Sequence, residues 1–445
     1  MARLFGTDGI RGKANYYPMT CEIALGTGRA VGTFAKNNGY KTVIIGKDTR
    51  ISGDMLEAAL ASGITSTGMD VLLAGVIPTP GIAFLCSDNQ DAGAGIVISA
   101  SHNPFYDNGI KIFKHDGTKL SHKEEIMIET LILDSQIVSQ EVVGKIAIIP
   151  DGLQKYSDFL LSKFPFKKLR KKLKIIVDCS NGAASKISHL IFDRTLFEAQ
   201  FISDLPNGTN INDNCGSQHT IQLQKRVLME KADLGLAFDG DADRLIAIDE
   251  AGAEITGDKI LSICAKYAKE NNKLKNNIVV STIMSNMGLT EFLSAYGIQH
   301  IRVEVGDRRV LEEMQKCDAV IGGEDSGHMI FLDNHTTGDG MLSALRLMEV
   351  ILKTKQPLSK LASEMTVYPQ VLINIEVAKS KPEIMKNSLI ADTIKAIEEK
   401  LGKNGRVLIR YSGTQPLLRV MVEGPDQKTT EQYCKELCDC IRANI

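Results

Sequence analysis

The sequence predicts an α/β protein with three similar α/β domains, mainly parallel in their sheets, followed by a smaller C-terminal α+β domain. Three observations carry that expectation. An apolar strand, a polar turn, a helix, a second strand and a later third strand ending in a polar loop recur in that order three times. The pattern changes after about residue 368. A chain of 445 residues, 43% apolar and 24% charged, also suits several cores better than one, because a domain takes roughly 150 residues.

The first copy runs from strand Val43-Ile44-Ile45 through Gly46-Lys47-Asp48-Thr49-Arg50 to a helix around Met55–Thr67 and strand Val71-Leu72-Leu73. Its last strand, Gly95-Ile96-Val97-Ile98, enters Ser99-Ala100-Ser101-His102-Asn103-Pro104. The second copy starts at Ile175-Ile176-Val177, has a helix near 184–196 and strand Gln200-Phe201-Ile202, and enters Asp239-Gly240-Asp241-Ala242-Asp243-Arg244 from Leu234–Phe238. The third starts at Ile278-Val279-Val280, forms a helix reaching Tyr296 and strand His300–Val303, and passes through Ala319-Val320-Ile321 into Gly322–His328. In the last domain, strands around Val371–Ile373, Val407–Ile409 and Leu418–Val422 frame a helix near Ser388–Leu401. The domains are therefore expected at 1–153, 154–253, 254–367 and 368–445. Strands separated by helices imply right-handed crossovers, and ligands then gather beyond the carboxyl ends of the strands, where the three polar loops lie.

A net charge of −2 gives no global field for nucleic acid or an anionic membrane, so any anion site is local. No stretch of about 18 apolar residues exists and the start Met1–Gly6 lacks a secretion signal, which leads us to expect a cytoplasmic protein. Nine scattered cysteines suit reduced thiols, although Cys434 and Cys438 share a helix face and keep a zinc site open beside the simpler reading of buried thiols. The basic run Lys167–Lys174 reads as a solvated connection, with anion attraction as its alternative.

Asp239, Asp241 and Asp243 alternate at a strand end, a spacing that turns three carboxylates toward one point, where a hard cation such as Mg²⁺ relieves their repulsion. A Ca²⁺ helix-loop-helix site fails on detail, because Arg244 stands at the sixth position that needs glycine and a strand leads in. Ser101, between Ala100 and His102 and before a forced turn, holds a hydroxyl on a rigid scaffold; a turn or capping serine is the plainer alternative. Adjacent side chains normally diverge, so a Ser101–His102 hydrolase relay is not expected. If the seryl and metal loops share a cleft, a seryl phosphate supplies an oxygen to the cation and Lys111 brings an ammonium to the reacting oxygens, with a surface lysine as the alternative. Glu324 and Ser326 among three glycines suit polyol recognition, and Gly306-Asp307-Arg308 lies just upstream of them. Arg410 to Pro416 combines a guanidinium, two hydroxyls and a glycine into a phosphate cradle.

Those four loops, in that order, resemble the phosphohexomutase superfamily across essentially the whole chain. Phe5-Gly6-Thr7-Asp8-Gly9-Ile10-Arg11-Gly12, Gly306-Asp307-Arg308 and Thr336-Thr337-Gly338-Asp339-Gly340 resemble its bacterial phosphoglucosamine mutase branch. The resemblance implies four domains around one central cleft. It makes Ser101 a phosphoserine and, with Asp239, Asp241 and Asp243, a Mg²⁺ ligand. It places Arg11, His102, Lys111 and Arg244 around the transferring group, and Asp307, Arg308, Glu324, Ser326 and His328 on the sugar. Arg410, Ser412, Gly413 and Thr414 then hold the idle phosphate. Two positions depart from the branch: Gln415 stands in place of a glutamate and Lys47 in place of an arginine.

The implied reaction is transfer of the Ser101 phosphoryl to O1 of glucosamine 6-phosphate. Glucosamine 1,6-bisphosphate is the activating intermediate, and glucosamine 1-phosphate leaves toward amino-sugar nucleotides and cell-wall precursors. Lys111 is the candidate acid/base, its pKa expected to be lowered by neighbouring cations. The implied partners are a small sugar phosphate, neither nucleic acid nor membrane, and a second copy in a homodimer. Glucose or mannose 6-phosphate mutase activity, a metal-dependent sugar phosphatase and a non-catalytic sugar-phosphate sensor are the rival readings.

Overall fold

The β-branched runs form four sheets in the computed structural model, which describes residues 4–6, 8–133, 141–167, 172–192, 196–377, 383–411 and 417–444. The described chain divides into two compact units, one up to Ile283 together with Ile298–Ser363, the other Met284–Gly297 together with Glu364 onward.

The first unit holds three sheets. The first region comprises β1 (Ile10–Lys13), α1 (Cys21–Asn37), β2 (Thr42–Lys47), α2 (Gly53–Thr65), β3 (Asp70–Val76), α3 (Thr79–Asp88), β4 (Ala92–Ile98), β5 (Asp107–Lys114), α4 (His122–Leu133) and β6 (Ile146–Ile148). The second has α5 (Gly152–Ser162), β7 (Leu173–Asp178), α6 (Ala184–Phe192), β8 (Phe197–Ile202), α7 (Ile221–Glu230), β9 (Leu234–Phe238), β10 (Leu245–Asp249) and β11 (Glu254–Ile255). The third has α8 (Gly257–Glu270), β12 (Ile278–Thr282), β13 (Gln299–Val303), α10 (Asp307–Cys317), β14 (Ile321–Gly323), β15 (Met329–Phe331), α11 (Gly340–Thr354) and α12 (Leu358–Ala362), while α9 (Met287–Ala295), between β12 and β13 in sequence, belongs to the second unit. Their strand orders are β1-β5-β4-β2-β3-β6, β11-β10-β9-β7-β8 and β13-β12-β14-β15.

Each sheet has the expected parallel centre but is mixed. β5, β10 and β15 return antiparallel to β4, β9 and β14, so each polar loop is the tip of a hairpin. The apolar runs are buried on both faces, as in Val43–Ile45, Ile175–Val177 and Val279–Val280, which is why they read as continuous apolar stretches. The strand expected at Ala319–Ile321 is instead β14, from Ile321. Asp318 takes a left-handed φ of 59° and Ala319 donates its N–H to Met314, so these two residues close α10.

The second unit comprises β16 (Gln370–Glu376), α13 (Ser388–Leu401), β17 (Arg406–Tyr411), β18 (Leu417–Glu423) and α14 (Gln427–Asn444), with α9 packed in the same unit. Its sheet, β16-β18-β17, is antiparallel throughout. Glu423, fully buried, accepts from the Met287 N–H at 3.3 Å and pairs with Arg406, whose Nη2 reaches the Ser285 carbonyl at 2.6 Å. Cys434 and Cys438 lie in the core with Ile390 and Leu437, and the nine thiols are free, which fits buried thiols. Lys168–Lys171 of the basic run lie outside the described residues. No described helix is long and apolar enough to cross a membrane.

Candidate active site

The loop between β9 and β10 is a tight turn in which the Ala242 N–H bonds the Asp239 carbonyl at 3.0 Å, with Ala242 in the left-handed region. It turns Asp239, Asp241 and Asp243 inward so that one carboxylate oxygen from each lies within 4.8 Å of the others. All three are buried. The Asp241 and Asp243 Oδ1 atoms meet no hydrogen-bond donor among the described residues. Burial, then repulsion from Asp243 and Asp241, pushes the Asp239 carboxyl well above the usual carboxylate range. Orphaned buried oxygens beside a carboxyl that resists ionisation are the donor set a hard divalent cation relieves, so these residues fit a metal site.

Ser101 lies at the tip of the β4–β5 hairpin, buried, with φ at +54°. Its Oγ donates to Asp239 Oδ2 at 2.5 Å. It also lies 3.3 Å from His102 Nδ1, so the two neighbouring side chains converge where divergence was expected; Ser101 in the left-handed region accounts for it. Burial, followed by the Arg244 and Arg11 charges, drives His102 down to about 4, leaving it neutral near pH 7.

Lys111, on β5, is buried and reaches Asp241 at 2.7 Å, Asp8 at 3.2 Å and Asp243 at 3.3 Å. Burial opposes its charge, but Asp241, Asp8 and Asp243 together outweigh burial and raise its pKa well above the ordinary lysine value. The expected lowering by neighbouring cations is therefore corrected, because Arg11 is the lesser influence beside three carboxylates. Arg11 itself, on β1, holds Asp8 at 2.5 Å, and Arg244 Nε lies 3.8 Å from Asp243.

Glu324 and Ser326 are half-buried on the β14–β15 loop. Gly327, at φ +91°, lets that loop lie against β10, where the Leu245 N–H bonds its carbonyl at 3.0 Å and a Cβ would sit 2.3 Å from the Leu245 oxygen. His328 is buried between Asp243 and Asp307, each at 3.6 Å, and those two carboxylates raise its pKa against the effect of burial. Asp307 is paired with Lys119, and Arg308 grips both oxygens of Glu125 on α4. These two residues, expected on the sugar, are thus engaged by the first region. Arg410 lies half-buried on β17, directly opposite Arg419 of β18; Ser412, Gly413, Thr414 and Gln415 lie outside the described residues.

Four domain models of the phosphoglucomutase/phosphomannomutase family match the chain: α/β/α domain I over residues 2–137, domain II over 154–252, domain III over 256–368 and the C-terminal domain over 372–439. A phosphoglucosamine mutase of Desulforapulum autotrophicum is 58% identical, with 99% of each chain covered. The chain belongs to the phosphoglucosamine mutase family. Another family member, from Syntrophobacter fumaroxidans, is 51% identical over the whole of both chains. Among solved structures, a phosphoglucomutase/phosphomannomutase family protein of Burkholderia thailandensis shares the fold at TM-score 0.82 and 22% identity, covering 99% of this chain and 97% of that one. An N-acetylphosphoglucosamine mutase of Aspergillus fumigatus, solved with GlcNAc-6P and magnesium, does so at TM-score 0.70 and 16% identity, covering 99% and 96%. This member of the phosphoglucosamine mutase family is therefore a phosphohexomutase, an isomerase.

Several residues of this mutase site carry no signal that spacing reveals. Thr79, at the start of α3, donates to Asp241 Oδ2 at 2.6 Å across 162 positions, and Lys119 reaches Asp307 across 188. Asp8 lies inside the Phe5–Gly12 segment, yet its role as counter-ion to Lys111, Lys119 and Arg11 emerges only in three dimensions. Lys47, one of the departures from the branch, ends β2 and pairs with Asp54 at 2.7 Å and with Glu57, both on α2, which suits a structural role.

Proposed function

We propose that this phosphohexomutase interconverts glucosamine 6-phosphate and glucosamine 1-phosphate in the cytoplasm, carrying the phosphoryl group on Ser101. The observation that carries the reading is the Ser101 hydroxyl seated 2.5 Å from Asp239, inside a buried cluster of three carboxylates. Asp239, Asp241, Asp243 and an oxygen on Ser101 would hold Mg²⁺, which when bound neutralises charge on the transferring phosphoryl.

Phospho-Ser101 gives its phosphoryl to O1 of the 6-phosphate, forming glucosamine 1,6-bisphosphate. The bisphosphate turns over, Ser101 Oγ attacks the 6-phosphoryl, and glucosamine 1-phosphate leaves. Lys111, an ammonium held by Asp241 and Asp243, relays the proton: it protonates the serine oxygen as the phosphoryl departs and takes up the proton that O1 loses, and on the return it protonates O6 and takes up the proton of Ser101 Oγ. Arg11 and Arg244 spread the developing charge while neutral His102 stays hydrogen-bonded to the serine. Glu324 and Ser326 receive sugar hydroxyls. Arg410 holds the idle phosphate with Ser412, Gly413 and Thr414; its position opposite Arg419 supports this, since two like charges facing across strands favour an anion. Asp307, Arg308 and His328 act on the sugar indirectly, through the contacts that fix the Glu324 loop. A homodimer is the proposed assembly.

The test is turnover of glucosamine, glucose and mannose 6-phosphates in one Mg²⁺ buffer, primed with sugar bisphosphate, with inorganic phosphate followed in parallel. The reading predicts fastest 1-phosphate formation from the amino sugar and little free phosphate. Dominant phosphate release would make the enzyme a phosphatase, and preference for a neutral sugar would overturn the substrate assignment.

A further inference from the structure

The turn that carries Ser101 is gripped from two regions by side chains with no part in the chemistry above. Arg50, in the loop after β2, has a fully buried side chain paired with Asp48, its Nε 2.8 Å from Asp48 Oδ2. Its Nη2 donates to the carbonyls of Ser101 at 2.9 Å and Asn103 at 2.8 Å, and its Nη1 to those of Pro104 and Asp107. The same Asp48 oxygen accepts from Ser99 Oγ at 2.6 Å, and that hydroxyl accepts from the Ser101 N–H at 2.9 Å. Both polar groups of the Ser101 backbone therefore end on the Asp48–Arg50 pair.

From the second region, in the connection between β8 and α7, Asn212 Nδ2 donates to the same two carbonyls, Ser101 at 2.9 Å and Asn103 at 3.0 Å. Asn212 is itself fixed, its N–H bonded to the Ser180 carbonyl at 2.9 Å. The metal-loop backbone closes against the same point, for a Cβ on Gly240 would lie 2.5 Å from the Ser101 oxygen and 2.9 Å from Asn212 Nδ2. Thr49 to the Asn181 carbonyl and the Ile51 N–H to that of Gly208 stitch the Arg50 loop to the second region on either side.

We infer that Arg50 and Asn212 are positioning residues. They clamp the Ser101–Asn103 carbonyls from two regions, and so aim the phosphoryl-bearing oxygen at the Asp239–Asp243 loop and the sugar rather than at water. The energetic logic is that Ser101 holds a left-handed φ which a serine does not favour, so the loop keeps it only while outside contacts determine it. A phosphoryl transfer depends on in-line geometry, and a small displacement lowers transfer to the sugar while leaving water, which needs no orientation from the protein, free to attack.

This inference rests on Ser101 carrying the phosphoryl, and the experiment separates the two. Enzyme is labelled at Ser101 with ³²P from a sugar bisphosphate, mixed with excess glucosamine 6-phosphate and Mg²⁺, and the label is divided between sugar phosphates and inorganic phosphate. Failure of the wild-type enzyme to label would count against the parent reading. The partition counts only phosphorylated molecules, so loss of folded enzyme does not imitate the effect. Asn212→Ala, which keeps the Asp48–Arg50 pair, is expected to shift the partition toward inorganic phosphate at least tenfold, with KM for the sugar phosphate within about twofold. Asn212→Asp turns a donor into a charge facing two carbonyls and should shift it further. Arg50→Lys keeps the charge beside Asp48 but loses the fork, and should also shift the partition. A wild-type partition in folded, labelled Asn212→Ala, or in Arg50→Lys, would overturn the clamp.

Discussion

Lys111 and His335 are two buried bases with opposite electrostatics. Lys111 sits among Asp8, Asp241 and Asp243 and is held charged. Lys111→Met removes the acid and leaves those carboxylates without their shared cation. The expected result is a kcat lower by about 10²–10⁴-fold in a coupled 1-phosphate assay, the span usual for losing a proton-transfer group; retention of most of kcat would remove Lys111 from the mechanism. His335, packed edge-on to Phe159 at 5.4 Å, is driven down to about 4 by burial and is neutral in the fold. In the unfolded chain it takes a proton near 6.5. Its contribution is therefore present above pH 6.5 and is lost as pH falls from there toward 4, the loss reaching about 2 kcal/mol at pH 5. His335→Phe should lose less Tm between pH 7 and pH 5 than the wild type, as measured by calorimetry, and equal losses would contradict the assignment. The sequence made Ser101 and the three aspartates legible because their chemistry lies in local spacing. It left Lys119, Asn212 and Thr79 unmarked, because each acts on a partner more than 100 residues away.

At the scale of elements, the loops that carry chemistry are hairpin tips. The strands leading in, β4 and β9, are fully buried apolar runs and were plain in the sequence. The returning strands were not. β15 has three residues and β10 five, too few to display a period, and β5 mixes Asp107, Asn108 and Lys111 with its apolar positions because it faces the site. α10 is hidden for a related reason: it opens on Gly306-Asp307-Arg308, which reads as a loop, and its sequence DRRVLEEMQKC has only a narrow apolar stripe, Val310, Leu311 and Met314, to bury. Its first turn is tied to the first region by Arg308 with Glu125 and by Asp307 with Lys119. Glu125→Ala would leave the largely buried Arg308 fork without an acceptor. The expected cost is about 1–3 kcal/mol, seen as a lower urea midpoint at unchanged slope. An unchanged midpoint would show that this pair adds nothing to stability.

Across the whole molecule, charge is balanced overall but concentrated locally, with three buried carboxylates meeting at one loop in a chain of net charge −2. Binding of Mg²⁺ there should raise the Tm of the wild-type protein, by an amount equivalent to about 2.7 kcal/mol at a hundred times Kd, and leave Asp241→Asn nearly unmoved. The repeat made the three α/β regions readable, yet no periodicity announces that α9, between β12 and β13 in sequence, belongs to the same compact unit as the C-terminal sheet. Glu423 and Arg406 bond Met287 and Ser285, more than 100 residues upstream, and Asn286 exchanges hydrogen bonds with the Tyr368 backbone at 2.9 and 3.0 Å. Hydrogen exchange should show residues 287–295 opening together with 417–423, and exchange in step with β12 and β13 would contradict it.

The most direct measurement is a rapid-quench experiment on enzyme carrying ³²P from sugar bisphosphate, digested and mapped by peptide at successive times after adding unlabelled glucosamine 6-phosphate. Label is expected on the peptide containing Ser101, leaving it at least as fast as kcat and appearing in sugar phosphate. Isomerisation at full rate with that peptide unlabelled, or with its label static, would contradict the account.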